Sequence, residues 1–219
     1  MPSKPMIKSW LPEAIEAFSC VYPAPDVSYV VVTKTEEESV IANLREKLDV
    51  PTFHGHGDNW AGLTLPGYKG TVVIIRQNGL SGKKELKYVL WHEMGHAFAF
   101  EHESNQNFWA TPTPAYMVWA EFIADMIGNK IAMTTGNPIP ITAAQHLQDT
   151  FNNGKISVAS IGHFCSATQH IVIPTGTPEP MVRLSELSRE KMKEKEFWKI
   201  DSEWLNQIME QLELLRNPG

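Results

Sequence analysis

The sequence predicts an α+β fold, with a small sheet near the N-terminus and helices after it. Three short β-type runs fall within residues 27–77, and from about residue 83 apolar side chains recur at helical spacing. The chain has 219 residues, of which 42% are hydrophobic, so it is long enough to bury a full core. We expect a mostly antiparallel sheet that packs on two long helices.

The first helix, strand and second helix each have a local signal. Ser9 is a candidate N-cap for a short first helix, and the valine-rich run 27–33 predicts a buried strand. Thr35 and Glu38 have the spacing of a capping box, which predicts that a helix begins near them and extends to about residue 48.

A hairpin is predicted next. Residues 61–65 and 71–77 have strand composition, and the segment 66–70 between them contains Pro66 and two glycines. We expect the second of these strands to lie at the edge of the sheet and to border a cleft.

Two long helices follow the hairpin. Ser81 can cap a helix that runs through KKELKYVLWHEMGHAFAFEH, where apolar residues form one stripe. Thr113 is the predicted N-cap of the next helix, with Pro114 as its first residue and an end near residue 132. Because this second helix is apolar on most of its surface, we expect it to be buried.

The remainder of the chain is predicted as a helix over 142–151, a loop-like Cys/His segment to residue 170, a short strand over 171–173, and charged helices from about residue 185. Asp201 is a candidate cap within the charged helices. Their apolar face is predicted to consist of Trp198, Trp204, Leu205, Ile208 and Leu212. We divide the chain into a main domain over 1–180 and a charged helical extension over 181–219.

Charge and composition exclude several classes of protein. The net charge of −6 argues against direct nucleic-acid binding, and no run of eighteen apolar residues predicts a membrane span. Two cysteines, Cys20 and Cys165, are too few for a disulfide framework, and Cys165 is expected to be a small buried thiol. The N-terminus lacks the unbroken apolar stretch of a signal peptide, so we expect a cytoplasmic protein.

The segment HEMGH has the pattern of a metal site. Histidines four residues apart on a helix, His92 and His96, share one face and can bind the same ion. Glu93 lies beside them and can act as general base toward a metal-bound water. The segment therefore predicts metal-assisted hydrolysis.

Two residues are candidates for a third protein ligand. His102 follows His96 by six residues, but on a continuous helix it would lie about 9 Å further along the axis. Glu121 lies on the next helix and shares a face with Asp125, which can accept the hydrogen of a ligating imidazole. Two carboxylates on an apolar helix are costly to bury without a partner, which favours Glu121 as the ligand.

With HEMGH followed by EFIAD, the chain resembles the gluzincin metallopeptidases, whose pattern is HExxH followed by ExxxD. The resemblance covers about residues 60–135. It implies a zincin-like fold, Zn²⁺ bound by His92, His96 and Glu121, Glu93 as general base, and Asp125 as the hydrogen-bond partner of a ligand. The chain also looks, more loosely, like the compact intracellular ImmA/IrrE proteins.

The resemblance also implies features around the zinc site. Zincins bind an extended substrate along an edge strand, and the candidate here is the strand over 71–77. Gluzincins place a hydrogen-bond donor after the glutamate helix, and among His146, His163 and His170 we choose His163. The segment FHGHGDN over 53–59 is interpreted as a glycine-rich loop rather than a second metal site.

The sequence therefore predicts a zinc-dependent peptidase that acts on a peptide or protein substrate. The alternative is a metal-binding regulatory protein that keeps a zincin core, docks on a protein partner and hydrolyses little or nothing. Trp198 and Trp204 are candidate anchors for such a partner.

Overall fold

The computed structural model describes residues 1–50, 60–102, 113–137, 157–170, 172–173 and 175–216. Within these ranges the chain forms seven helices and a three-stranded sheet, so the predicted α+β class is confirmed. In chain order the helices and strands are α1 (Lys4–Ser19), β1 (Val27–Val32), α2 (Glu37–Leu48), β2 (Gly62–Gly67), β3 (Gly70–Arg76), α3 (Lys83–Glu101), α4 (Pro114–Thr134), α5 (Val158–Ala167), α6 (Glu179–Lys191) and α7 (Ser202–Arg216).

The sheet has the strand order β1-β3-β2 and is mixed. Strands β2 and β3 form the predicted antiparallel hairpin, with Thr64 opposite Val73, whereas β1 runs parallel to β3. The expectation of a mostly antiparallel sheet is therefore wrong. β1 and β3 can run parallel because α2 lies in the connection between them, and parallel strands need a long crossover connection.

The second hairpin strand is central, so the prediction that it lies at the edge is also wrong. β3 is buried from Val72 to Arg76 and pairs on both sides, which agrees with its continuous apolar run. Among the described strands, β2 is the edge strand on the hairpin side of the sheet.

The first helix begins earlier than predicted. Ser3 is its N-cap, and the Met6 amide donates to the Ser3 hydroxyl. Ser9 lies inside α1 and its hydroxyl donates to the Met6 carbonyl oxygen at 2.7 Å, so Ser9 is not a cap. The Trp91 indole of α3 donates to the Ala14 carbonyl oxygen at 2.9 Å, which ties α1 to the helix that carries HEMGH.

The second helix has the predicted extent but a different cap. Glu36 is the N-cap of α2 and makes no side-chain cap hydrogen bond, so the predicted capping box of Thr35 and Glu38 is wrong. The Thr33 amide and hydroxyl both donate to Glu36 Oε2. Hydrogen bonds from Lys4 and then Thr33 lower the pKa of Glu36 to about 2.

The two long helices have nearly their predicted bounds. Gly82, rather than Ser81, is the N-cap of α3, and Ser81 donates from its amide and hydroxyl to Glu85. At the start of α4 the Tyr116 amide donates to Thr113 Oγ1 at 3.2 Å, as expected for an N-cap. Helix α4 is buried along most of its length, which confirms the prediction from its composition.

The segment after α4 differs most from the predictions. The Cys/His segment is the helix α5, with Ser157 as its N-cap, rather than a loop. Val172 and Ile173 belong to no strand. The predicted helix over 142–151 lies outside the described residues.

The C-terminal helices form as predicted, as α6 and α7. The Trp204 amide donates to Asp201 Oδ1 at 2.6 Å, which confirms Asp201 as the cap of α7. Lys191 is buried, and its ammonium group donates to Asp201 Oδ2 at 2.8 Å. The buried face of α7 consists of Trp204, Leu205, Ile208 and Leu212.

The chain divides into two compact units. The first comprises Met1–Thr111 with Ile127–Ile139, and the second comprises Pro112–Met126 with Pro140–Gly219. Helices α5, α6 and α7 all lie in the second unit. The predicted domain boundary at residue 180 stays a prediction. Among the described helices, none combines the length and apolar character that crossing a membrane requires.

Candidate metal centre

Helix α3 places the two histidines of HEMGH side by side. His92 Nε2 and His96 Nε2 lie 3.1 Å apart, and the two ring planes are nearly perpendicular. His96 is buried and stacks on Phe100 with ring centroids 5.7 Å apart. The helical spacing therefore brings the imidazoles together on one face, as the sequence predicts.

Glu121 of α4 joins the two histidines. One ligand atom from each of His92, His96 and Glu121 lies within 4.8 Å of the other two. Helix α4 is continuous from Glu121 to Gly128, about two turns later. A methyl group on Gly128 would lie 3.6 Å from the His92 backbone nitrogen, so the same helix that carries Glu121 packs directly on α3.

The spacing of the two imidazole nitrogens is compatible with a shared metal ion. Two ligands bound at 2.0–2.1 Å with a tetrahedral angle are about 3.3 Å apart, close to the 3.1 Å between the two imidazole nitrogens. That distance also suits a hydrogen bond between the rings. The observation that favours a cation is the carboxylate of Glu121 beside them, since two imidazoles and a carboxylate form a typical zinc donor set.

Glu93 is buried beside the edge strand of the sheet. The Thr64 hydroxyl of β2 lies 2.7 Å from Glu93 Oε2 and 2.9 Å from the Glu93 carbonyl oxygen. Gly62, also in β2, leaves the space that the Glu93 side chain occupies. Neither β2 residue is predictable from the sequence, because nothing in a strand's local pattern indicates which helix it contacts.

Asp125 has partners on α5. It accepts a hydrogen bond from His163 Nδ1 at 2.8 Å and another from the Ser166 hydroxyl at 2.7 Å. His163 Nε2 lies 3.5 Å from Glu121 Oε2. The structure therefore places His163 beside both carboxylates of α4, on a helix rather than in the predicted loop.

A glycine allows this close approach of α5 to α4. A Cβ atom on Gly162 would lie 2.5 Å from Glu121 Cβ and 2.7 Å from the Val118 carbonyl oxygen. The small residues Ala159, Gly162 and Ser166 recur at spacings of three and four. That recurrence is a signal from which a closely packed helix could have been predicted.

Among the described residues, the candidates His102 and His170 do not belong to this group. His102 is the C-cap of α3 and has extended backbone angles (φ −68°, ψ 125°), and His170 is exposed. His146 and the segment 53–59 lie outside the described residues. Burial raises the pKa of Cys165 to about 12, so this thiol stays protonated, as expected for a structural cysteine.

Comparison with known proteins found no match to the chain among protein-family models, curated proteins or solved structures. The likeness to gluzincins and to ImmA/IrrE proteins therefore rests on the segments HEMGH and EFIAD.

Proposed function

We propose that the protein is a zinc-dependent metallopeptidase. The observation that carries the proposal is the placement of His92, His96 and Glu121, whose ligand atoms lie within 4.8 Å of one another. Glu93 follows His92 directly in the chain and supplies the carboxylate that peptide hydrolysis needs. The combination of a zinc donor set with an adjacent base favours hydrolysis over binding alone.

Each residue has a distinct role in this mechanism. A zinc ion held by the three residues would polarise the substrate carbonyl and increase the acidity of a water molecule. Glu93 accepts a proton from the attacking water and returns it to the leaving amine, so that the peptide bond is replaced by a carboxylic acid and an amine. His163, 3.5 Å from Glu121, is the proposed hydrogen-bond donor to the substrate carbonyl oxygen.

The edge strand β2 is the proposed binding strand for an extended substrate. The sequence predicts this role for β3, but β3 is central and its backbone groups pair on both sides. Among the described strands, β2 lies at an edge of the sheet, and it carries Thr64, which contacts Glu93. A peptide that adds a strand to β2 would lie next to the proposed base.

The metal site is tested by zinc content. The purified chain, loaded with Zn²⁺ and dialysed, is expected to retain about one ion per chain, and the His96→Ala and Glu121→Ala variants are expected to lose most of it. His102→Ala is the matched control and is expected to keep its zinc. Loss of zinc in the His102 variant together with retention in the Glu121 variant would exclude the proposed ligand set.

The peptidase activity is tested with a mixture of quenched fluorescent peptides and with unfolded casein. Glu93→Gln is expected to retain zinc and to lose at least about a hundredfold in rate, because it removes the general base. Glu101→Gln changes an exposed carboxylate on the same helix and should cleave like the parent. A zinc-loaded parent that cleaves neither probe would contradict the proposal and favour the metal-binding regulatory protein.

A further inference from the structure

We propose that Gly62 and Thr64 of β2 form a cradle that positions the carboxylate of Glu93. This inference rests on the proposed function, because it assigns a role to two residues that would act through the general base. Neither residue belongs to the HEMGH or EFIAD segments, and both lie in the same compact unit as Glu93.

The two cradle residues face Glu93 because they are two positions apart on one strand. Side chains at i and i+2 of a strand point to the same side, and the pairing of Thr64 with Val73 of β3 holds this register. Leu63, between them, packs on the opposite side in the cluster that contains Ile41 and Leu48 of α2. The alternation therefore directs the hydroxyl of Thr64 toward α3.

Thr64 supplies a hydrogen bond to the carboxylate. Its hydroxyl has one proton and lies within hydrogen-bond distance of both Glu93 Oε2 and the Glu93 carbonyl oxygen. The shorter distance, 2.7 Å, is to Oε2, and an ionised carboxylate is the stronger acceptor of the two. We assign the proton to Oε2, which leaves other lone pairs of the carboxylate able to accept a proton.

Gly62 supplies space for the Glu93 side chain. A Cβ atom at this position would lie 2.6 Å from Glu93 Cγ and 2.7 Å from both Glu93 Oε1 and Val89 Cγ1. Gly62 is not among the glycines with a positive φ, so its backbone conformation does not require glycine. What its missing side chain allows is the close approach of β2 to the Glu93 side chain.

Together, the hydroxyl and the space restrict Glu93 to one orientation. A free glutamate side chain samples many rotamers, and holding one of them before the reaction lowers the entropy lost on reaching the transition state. Glu93 is 6% exposed, so solvent does little to orient it. The cradle residues are positioning residues, which act on the reaction through Glu93.

The catalytic arm of the test compares variants of the cradle at full zinc occupancy. Thr64→Val keeps nearly the same shape but has no donor, and we expect kcat to fall about ten- to hundredfold while KM stays within about twofold. Thr64→Ser should restore most of kcat. Gly62→Ala should also lower kcat by displacing Glu93. Gly82→Ala should not, because beyond the two adjacent residues no atom lies within 4 Å of the added Cβ. An unchanged kcat in Thr64→Val would overturn the positioning role, even if Glu93→Gln abolishes activity.

A second arm does not depend on hydrolysis. Thr64→Val is introduced into the parent and into Glu93→Leu, and the urea midpoint of unfolding is measured for all four proteins. We expect Thr64→Val to lower the midpoint in the parent and to leave it unchanged or raise it in the Glu93→Leu background. Equal shifts in both backgrounds would overturn the cradle. If the midpoint shifts differ between the two backgrounds but the parent hydrolyses nothing, the contact between Thr64 and Glu93 is supported. Only the proposed peptidase function is then rejected.

Discussion

Helix α4 packs against two helices at very different distances. Toward α3, a methyl group on Gly128 would lie 3.6–3.8 Å from its nearest neighbours, which is an ordinary separation. Toward α5, a methyl group on Gly162 would lie 2.5–2.7 Å from Glu121 Cβ and the Val118 carbonyl oxygen, which is closer than packed atoms approach. The α4–α5 contact therefore requires glycine, and the α3–α4 contact does not.

The two contacts illustrate two ways in which polar residues are brought together: by their spacing on one helix, or by the close packing of two helices. His92 and His96 lie together because they share a helix, so their spacing does not depend on how tightly α3 meets α4. His163 approaches Asp125 and Glu121 only because α5 can come close to α4 at Gly162. A change in the tight contact is therefore expected to disturb His163 and to leave the pair of histidines on α3 intact.

The largest expected effect comes from filling the tight contact. Gly162→Ala should lower the free energy of unfolding by about 3 kcal/mol, the upper end of the cost of overpacking, because the added methyl group meets backbone atoms. Gly128→Ala is the matched control and should raise it by up to about 1 kcal/mol, because alanine is the better helix former. Urea unfolding of both variants measures the difference. Similar shifts in the two variants would show that the two contacts are equally close.

A smaller effect is expected from removing the residue that holds His163. Asp125→Ala should weaken zinc binding about ten- to hundredfold, because His163 then loses its partner and no longer lies in a fixed position beside Glu121. Competition with a chelating dye at constant pH and salt measures the affinity. Ser166→Ala removes only the second donor to Asp125 and should have a lesser effect. Unchanged zinc affinity in Asp125→Ala would show that the contact between α4 and α5 does not affect zinc binding.

The smallest effect is expected where α6 and α7 meet, away from the tight contact. Asp201→Ala should cost about 1 kcal/mol of stability through loss of the α7 cap and of one of the two carboxylates that pair with the buried Lys191. Asp201→Asn keeps the cap and should cost less. Zinc content should be unchanged in both variants, and a loss of zinc would show that the C-terminal helices affect the metal centre.

The effect of Asp201 depends on pH. Burial raises the pKa of Asp201, but hydrogen bonds from Lys191 and the Trp204 amide outweigh burial and hold the pKa below its ordinary value. A lowered pKa in the folded state stabilises the protein above the pKa of an unfolded aspartate, about 3.9, and this stabilisation disappears as the pH falls through the folded value. Unfolding measured from pH 6 to pH 3 should therefore show the difference between parent and Asp201→Asn shrinking below about pH 4.

The sequence by itself determined the features that depend on neighbours along the chain. The hairpin of β2 and β3, the extents of α3 and α4, the Thr113 cap and the shared face of His92 and His96 all follow from residues within a few positions of one another. Glu121 was also predictable, because a carboxylate on a buried apolar helix is costly without a partner. Short-range periodicity and the cost of burying charge suffice for these features.

Only the tertiary structure decided which distant segments meet. The parallel pairing of β1 with β3 left β2 at the other edge of the described sheet, and β2 brings Gly62 and Thr64 to Glu93. The close packing at Gly162 brought His163 to Asp125. These contacts join residues separated by 29 and 38 positions. No local pattern specifies such a contact, because it depends on the shape of two surfaces that exist only after their own segments have folded.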